Sequence, residues 1–280
     1  MTATGYAADL GSYLDVDGLR TFYVERGSGV PLVLVHGAAP GACTLVSWQP
    51  NLDPLAAAGF RVIAFDQPGF GLTDLPADYS MEYRVQHAKA FLDAFGLERY
   101  HLIGNSVGAY VAARLALEDP RVDRLVLISS SVLAPRGSAE ADALAREHSA
   151  ELRAFEPSLE SVRAMTMKTL YSPDLVTEDL VRSRFEMSSG QRYEAQVARR
   201  SATPQRSILD DLPSITQKTL ILWGNNDRGA AVERSLLLFR LIPGAELHVF
   251  DECGHWVQWD QADRFNRIVG DFLRHGREPG

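Results

Sequence analysis

Cysteine is scarce in this chain: Cys43 and Cys253 are the only two among 280 residues, and they form no C-x-x-C pair. That composition excludes a disulfide framework and a cysteine-ligated zinc site. Long apolar runs are missing too, the stretch Pro31 to Val35 being far too short to span a bilayer. Met1 to Tyr6 has neither the basic nor the apolar region of a secretion signal, so the expectation is a cytoplasmic protein without membrane contact. Lys and Arg are nowhere clustered and interleaved with aromatics, and a formal charge of −8 opposes a nucleic-acid partner. Internal repeats and low-complexity tracts are absent. What remains is a chain with 46% hydrophobic residues, enough to bury one large core.

Short apolar runs alternate with helical patterns. Ser12 to Asp15 and Leu19 to Glu25, joined through Asp17-Gly18, predict a hairpin, because Asp-Gly favours a tight turn. Leu32 to Val35, Val62 to Phe65, His101 to Ile103, Leu125 to Ile128, Leu220 to Trp223 and Leu247 to Phe250 predict strands covered on both faces. Tyr79 to Phe95, Val107 to Glu118, Val232 to Leu241 and Gln261 to His275 carry apolar residues at helical spacing. The fold class is therefore α/β, a mostly parallel eight-stranded sheet with helices on both faces.

The alternation breaks between Ala134 and about Arg206, where only helical stretches occur: Ala139 to Phe155, Leu159 to Leu170, Thr177 to Met187 and Arg192 to Arg200. Turns at Pro135-Arg136-Gly137 and Thr203-Pro204 bracket the segment. The predicted organisation is a core from 1–133 and 207–280, with 134–206 inserted as a helical cap over the strand ends, where α/β sheets bind ligands.

Chemistry enters with Gly104-Asn105-Ser106-Val107-Gly108, which follows one strand and opens a helix. A strand that turns this sharply into a helix strains its central residue and exposes the serine hydroxyl, while the glycines let neighbouring backbone approach. Activating a serine takes a histidine, and a carboxylate to hold the imidazole. Of the seven histidines, His255 lies in the loop after the last strand and fits the role of base. His36 ends a strand within the oxyanion-loop segment and His248 lies inside a strand, while His87, His101, His148 and His275 read as structural or surface residues. Asp227, at the carboxyl end of the penultimate strand, is the acid; the stretch after Ile128 reads Ser129-Ser130-Ser131 and offers no carboxylate. Backbone N–H groups of Val107 and Ala38 are the predicted oxyanion donors.

At this point the chain resembles the α/β-hydrolases, and among them the meta-cleavage product hydrolases, which split carbon–carbon bonds of 2-hydroxy-6-oxo-dienoates. The resemblance rests on four segments: His36-Gly37-x-x-Pro40-Gly41-Ala42, Asp66-x-Pro68-Gly69-Phe70-Gly71, Gly104-Asn105-Ser106-x-Gly108, and Cys253-Gly254-His255-Trp256-x-Gln258-Trp259 running on to Asn266. It implies Ser106, Asp227 and His255 as a triad, with Gly37, Ala39, Ser47, Asn105, Arg184 and Trp256 holding a small-molecule substrate. It also implies a homodimer and no cofactor or metal. Ser47, Val107, Ala109 and Gly229-Ala230-Ala231 depart from the pattern. A carboxylesterase or lactonase using the same triad, and a ligand-binding protein without catalysis, stay open as alternatives.

Overall fold

The computed structural model describes residues 10–135, 137–202 and 205–274. Arg136, Thr203, Pro204 and His275, on which two expected turns and one helix end fall, lie outside the described residues. The chain opens with a hairpin of β1 (Ser12–Val16) and β2 (Leu19–Arg26). Asp17 and Gly18 close it with φ of 51° and 83°, the two positive values that a two-residue turn matching strand twist demands.

There follow β3 (Val30–Val35), α1 (Thr44–Ala57), β4 (Phe60–Phe65), α2 (Met81–Ala94), β5 (Tyr100–Asn105), α3 (Val107–Glu118) and β6 (Val122–Ile128). The helices α4 (Ala139–Ala154), α5 (Leu159–Thr169), α6 (Glu178–Glu186) and α7 (Gln191–Arg200) come next. The chain returns to the sheet with β7 (Lys218–Gly224), α8 (Glu233–Leu241), β8 (Glu246–Phe250), α9 (Val257–Asp260) and α10 (Ala262–Arg274). The eight strands run in the order β1-β2-β4-β3-β5-β6-β7-β8, parallel from β4 to β8 and antiparallel in the β1–β2 and β2–β4 pairs at one edge. From β3 the chain steps outward to β4 and then back across to β5, so β3 and β5 form the switch point where open α/β sheets gather their ligands.

Central strands are apolar throughout because both faces are covered. Val33 and Val35 face a layer that includes Phe65, Phe91, Tyr110 and Leu238, whereas Leu32 and Leu34 face Trp48, Leu52, Val257 and Phe265 on the other side. Helix α10 shows how the pattern works, since Phe265, Val269 and Leu273 recur every four residues and are all buried.

One helix lacks a sequence expectation and one expectation fails, each for an identifiable reason. Helix α1 carries Pro50 and Pro54 in its interior, which in sequence argues against a helix. Burial of Trp48, Leu52 and Leu55 on the sheet outweighs the broken ladder, a cost of about 3 kcal/mol per proline. Strand β8 was expected to be covered on both faces, but it is the sheet edge, with Val249 46% exposed and only Phe250 buried.

Helices α4 to α7 sit over the carboxyl ends of the strands, joined to the core through an apolar cluster of Leu170, Leu180 and Met187 with Val46 and Trp256, and through polar groups. Arg184 of α6 donates to the Pro40 carbonyl at 3.1 Å, Arg199 of α7 to the Gly69 carbonyl at 3.0 Å, and Arg192 to the Gly71 carbonyl. The His255 N–H donates to the Thr169 carbonyl at the end of α5, at 2.8 Å. Stability resides mainly in the sheet layers. Phe65 is fully buried and stacked 4.5 Å from Phe91, so Phe65→Ala is expected to cost about 3–5 kcal/mol in urea unfolding.

Candidate active site

Ser106 has φ 56° and ψ −119°, a conformation that L residues seldom adopt. It stands between β5 and α3, its N–H donating to the Ile128 carbonyl at 2.8 Å while Ala109 N–H donates to the Ser106 carbonyl. The flanking glycines are required by close approach. A Cβ on Gly104 would lie 2.3 Å from the Gly108 carbonyl oxygen, and one on Gly108 only 2.2 Å from that of Val35. The chain has no other way to turn this tightly with β3 alongside. Ser106 is thereby left half-buried at the N-terminus of α3, where the Val107 N–H has no helical carbonyl to bond.

Asp227 follows β7 and is held from three sides. Its Oδ1 accepts the N–H groups of Gly229 at 2.8 Å and Ala230 at 2.9 Å, and its Oδ2 accepts His255 Nδ1–H at 2.7 Å. The bonds to Gly229 and Ala230 are those of a turn, but the helix begins only at Glu233, so Asp227 serves the imidazole and is not the helix cap. Burial lowers the affinity of His255 for a proton, yet the charge and hydrogen bond of Asp227 outweigh it and raise the pKa above the ordinary 6.5. With Nδ1 committed to Asp227, Nε2 is the free nitrogen. Asn105 Nδ2 donates to the His255 carbonyl at 3.5 Å, joining the base loop to the residue before Ser106, although no hydrogen bond links the Ser106 hydroxyl itself to His255.

His36 is the other buried imidazole near this turn. Its Nε2 accepts the Gln67 N–H at 3.0 Å, so Nδ1 carries the proton and donates to the Gly37 carbonyl at 2.6 Å. Burial pushes its pKa down to about 3, which makes it a neutral clamp for the loop that bears Ala38. Gly37 lies against the nucleophile turn, its missing Cβ falling 3.3 Å from Ser106 Cβ. Ala38 and Ala39 are half-buried beside it.

Arg184 is fully buried. Its guanidinium lies 4.8 Å from the centre of the Trp256 ring and donates to Thr166 Oγ1 and the Pro40 carbonyl, leaving Nε without a protein partner. Burial lowers its pKa to about 10, which still leaves it a cation at neutral pH. Arg182, two residues away, is exposed. Trp256 itself is 3% exposed and packs on both Arg184 and Trp259. Ser47 lies on α1 with its carbonyl bonded to Trp259 Nε1, and its hydroxyl, like Asn105 Oδ1, is buried without a partner.

His148, expected to be a structural or surface residue, is carried by α4 to the acid loop, where its ring sits 3.1 Å from the point a Cβ on Gly229 would occupy. Helical periodicity says which residues share a face and nothing about which distant loop that face meets. Among the described residues, no group of three or more His, Cys, Asp or Glu side chains is placed to hold a metal ion.

Asp227→Asn removes both influences that raise the His255 pKa while burial persists. The imidazole titration followed by NMR is expected to move from above 6.5 in the native protein to below it in the variant.

Comparison with known proteins places this geometry. The profile of the alpha/beta hydrolase fold family matches residues 30–262. A 2-hydroxy-6-oxononadienedioate/2-hydroxy-6-oxononatrienedioate hydrolase of Pseudomonas putida is 35% identical over 267 residues, 92% of each chain. The 2-hydroxy-6-oxo-6-phenylhexa-2,4-dienoate hydrolase of Comamonas testosteroni is 35% identical over 269 residues, 93% of each chain. The solved meta-cleavage product hydrolase of Pseudomonas fluorescens IP01 superposes with a TM-score of 0.84 at 33% identity, covering 95% of this chain and 98% of the other. On these grounds the chain belongs to the α/β-hydrolase family, on the branch of the meta-cleavage product hydrolases.

Proposed function

We propose that this protein is a serine-dependent hydrolase that cleaves the C5–C6 bond of a 2-hydroxy-6-oxo-hexa-2,4-dienoate formed by ring cleavage of an aromatic compound. The observation that carries the reading is a buried arginine without an acidic partner, Arg184, stacked on the tryptophan that follows the predicted catalytic histidine. A buried cation of this kind is costly unless a ligand anion compensates it, and a guanidinium suits a carboxylate. The unpartnered Ser47 Oγ, Asn105 Oδ1 and Arg184 Nε support the same head-group role, because the carboxylate and 2-hydroxyl of such a substrate supply both acceptors and a donor.

In the reaction proposed, the dienol is first ketonised, His255 carrying the proton to carbon. Water, or the Ser106 hydroxyl deprotonated by His255, then adds to the C6 carbonyl, and the oxyanion is met by the N–H groups of Ala38 and Val107. Collapse breaks C5–C6; the electron pair leaves as a dienolate that is stabilised by the head group, and His255 returns the proton. Where Ser106 is the nucleophile, water activated by His255 then hydrolyses the acyl-serine to the free acid. Gly37 and Ala39 border the reacting carbonyl, Trp256 backs the diene, and 134–206 serves as the cap between 1–133 and 207–280. The cytoplasm suits two cysteines that are free and buried. A homodimer is supported by the exposed edge strand β8 and by exposed Leu236, Phe239 and Val249.

The test is loss of the yellow dienoate absorbance. Native protein is expected to bleach it, Ser106→Ala to slow turnover by about 10³-fold or more, and Arg184→Met to raise KM for the dienoate far more than for an uncharged ester. Unimpaired turnover by Ser106→Ala defeats the assignment.

A further inference from the structure

The acid loop has a neighbour that the reaction above does not use. Helix α4 buries only Ala141, so His148 is not held there as a core residue. Its ring nevertheless lies over Gly229, with Cδ2 and Nε2 both 3.1 Å from the place of the absent Cβ. Any larger residue at 229 would press on the imidazole. Gly229 in turn donates to Asp227, so the imidazole borders the triad at one remove. It feels the charges of His255 and Asp227 from the core, and of Glu151 and Lys168 from its own layer. Burial first, and then His255, hold its pKa below 6.5, leaving it neutral at pH 7 with one N–H to give. Neither ring nitrogen makes a hydrogen bond to another described residue.

Sheet order decides what such a group can meet. The Ala38 loop follows β3, Ser106 follows β5 and Asp227–Gly229 follows β7, in the spatial order β3-β5-β6-β7. Arg184 is tied to the loop after β3 through Pro40 and lies over Trp256 of the loop after β8, whereas His148 lies against the loop after β7. The strand that carries the His148 loop is two places from β5 on the side away from β3, roughly 10 Å at ordinary strand spacing. A substrate whose carboxylate reaches Arg184 from the β3 side of Ser106 directs its C6 substituent toward β7, beneath His148.

We propose that His148 is a specificity-determining residue that donates a hydrogen bond to the C6 substituent. It favours acyl groups that end in an acceptor, a second carboxylate above all, over phenyl or alkyl groups. An apolar substituent there leaves the imidazole N–H desolvated and unpaired, the situation that gives polar pockets their discrimination. Gly229 is the complementary half of the device, being the space that the imidazole needs.

This inference rests on the dienoate reading, and the experiment separates the two. Two dienoates that differ only at C6, one bearing a 2-carboxyethyl group and one a phenyl group, are compared by kcat/KM in native protein, His148→Leu and His148→Gln. The native preference for the carboxyethyl substrate is expected to fall about tenfold in H148L, as for loss of one buried hydrogen bond, and to survive largely in H148Q, which keeps a donor. Both variants should still bleach the phenyl substrate, since Ser106, Asp227, His255 and Arg184 are untouched. A carboxyethyl-to-phenyl ratio in H148L within about twofold of native overturns the role of His148 while leaving the dienoate reading intact. Failure of native protein to turn over either substrate overturns both.

Discussion

The site depends on one backbone constraint, the abrupt passage from β5 into α3 at Ser106. A non-glycine residue at φ 56° is held against a penalty on the order of 1–3 kcal/mol, so surrounding structure must over-determine it. It does so by fixing both neighbours. β3 lies so close that Gly108 has no room for a Cβ, and β6 accepts the Ser106 N–H through the Ile128 carbonyl. Because β5 is buried along its whole length between these two strands, the strain cannot relax without opening the sheet. The same constraint leaves the first N–H of α3, that of Val107, without a helical carbonyl to bond.

Around that turn the charges are arranged by two different rules. Asp227 is satisfied by three protein donors and needs nothing more. Arg184 is equally buried but meets a ring, a hydroxyl, a carbonyl and a thioether instead of a carboxylate. A protein with no use for a buried, acid-free guanidinium has little reason to retain it, since its desolvation is compensated only in part. The site thus holds a completed acid–base pair on one hand and a buried cation without an acidic partner on the other.

The helices over the strand ends are held differently from the sheet. Helix α4 buries one alanine, while the segment after it joins the core both through Leu170, Leu180 and Met187, packed with Val46 and Trp256, and through arginines that reach carbonyls. Mixed joints of this kind resemble interfaces between domains more than the inside of one.

Much of this was legible in order along the chain. Leu32 to Val35 and Leu125 to Ile128 read as strands because an uninterrupted apolar run has few other uses, and Gly104-Asn105-Ser106-Val107-Gly108 read as a sharp turn because its glycines announce a close approach. Asp227 and His255 followed from their places after strands. The prolines of α1 and the exposure of β8 were not legible, since both turn on what a segment packs against, which local propensity does not contain. Residue types and their spacing determined the sheet, the nucleophile turn and the identity of its predicted partners, because those depend on local geometry and strand order. Tertiary structure alone decided that Arg184 is buried without an acid and that His148 lies over Gly229, because both facts come from where the helices between β6 and β7 settle on loops far away in sequence.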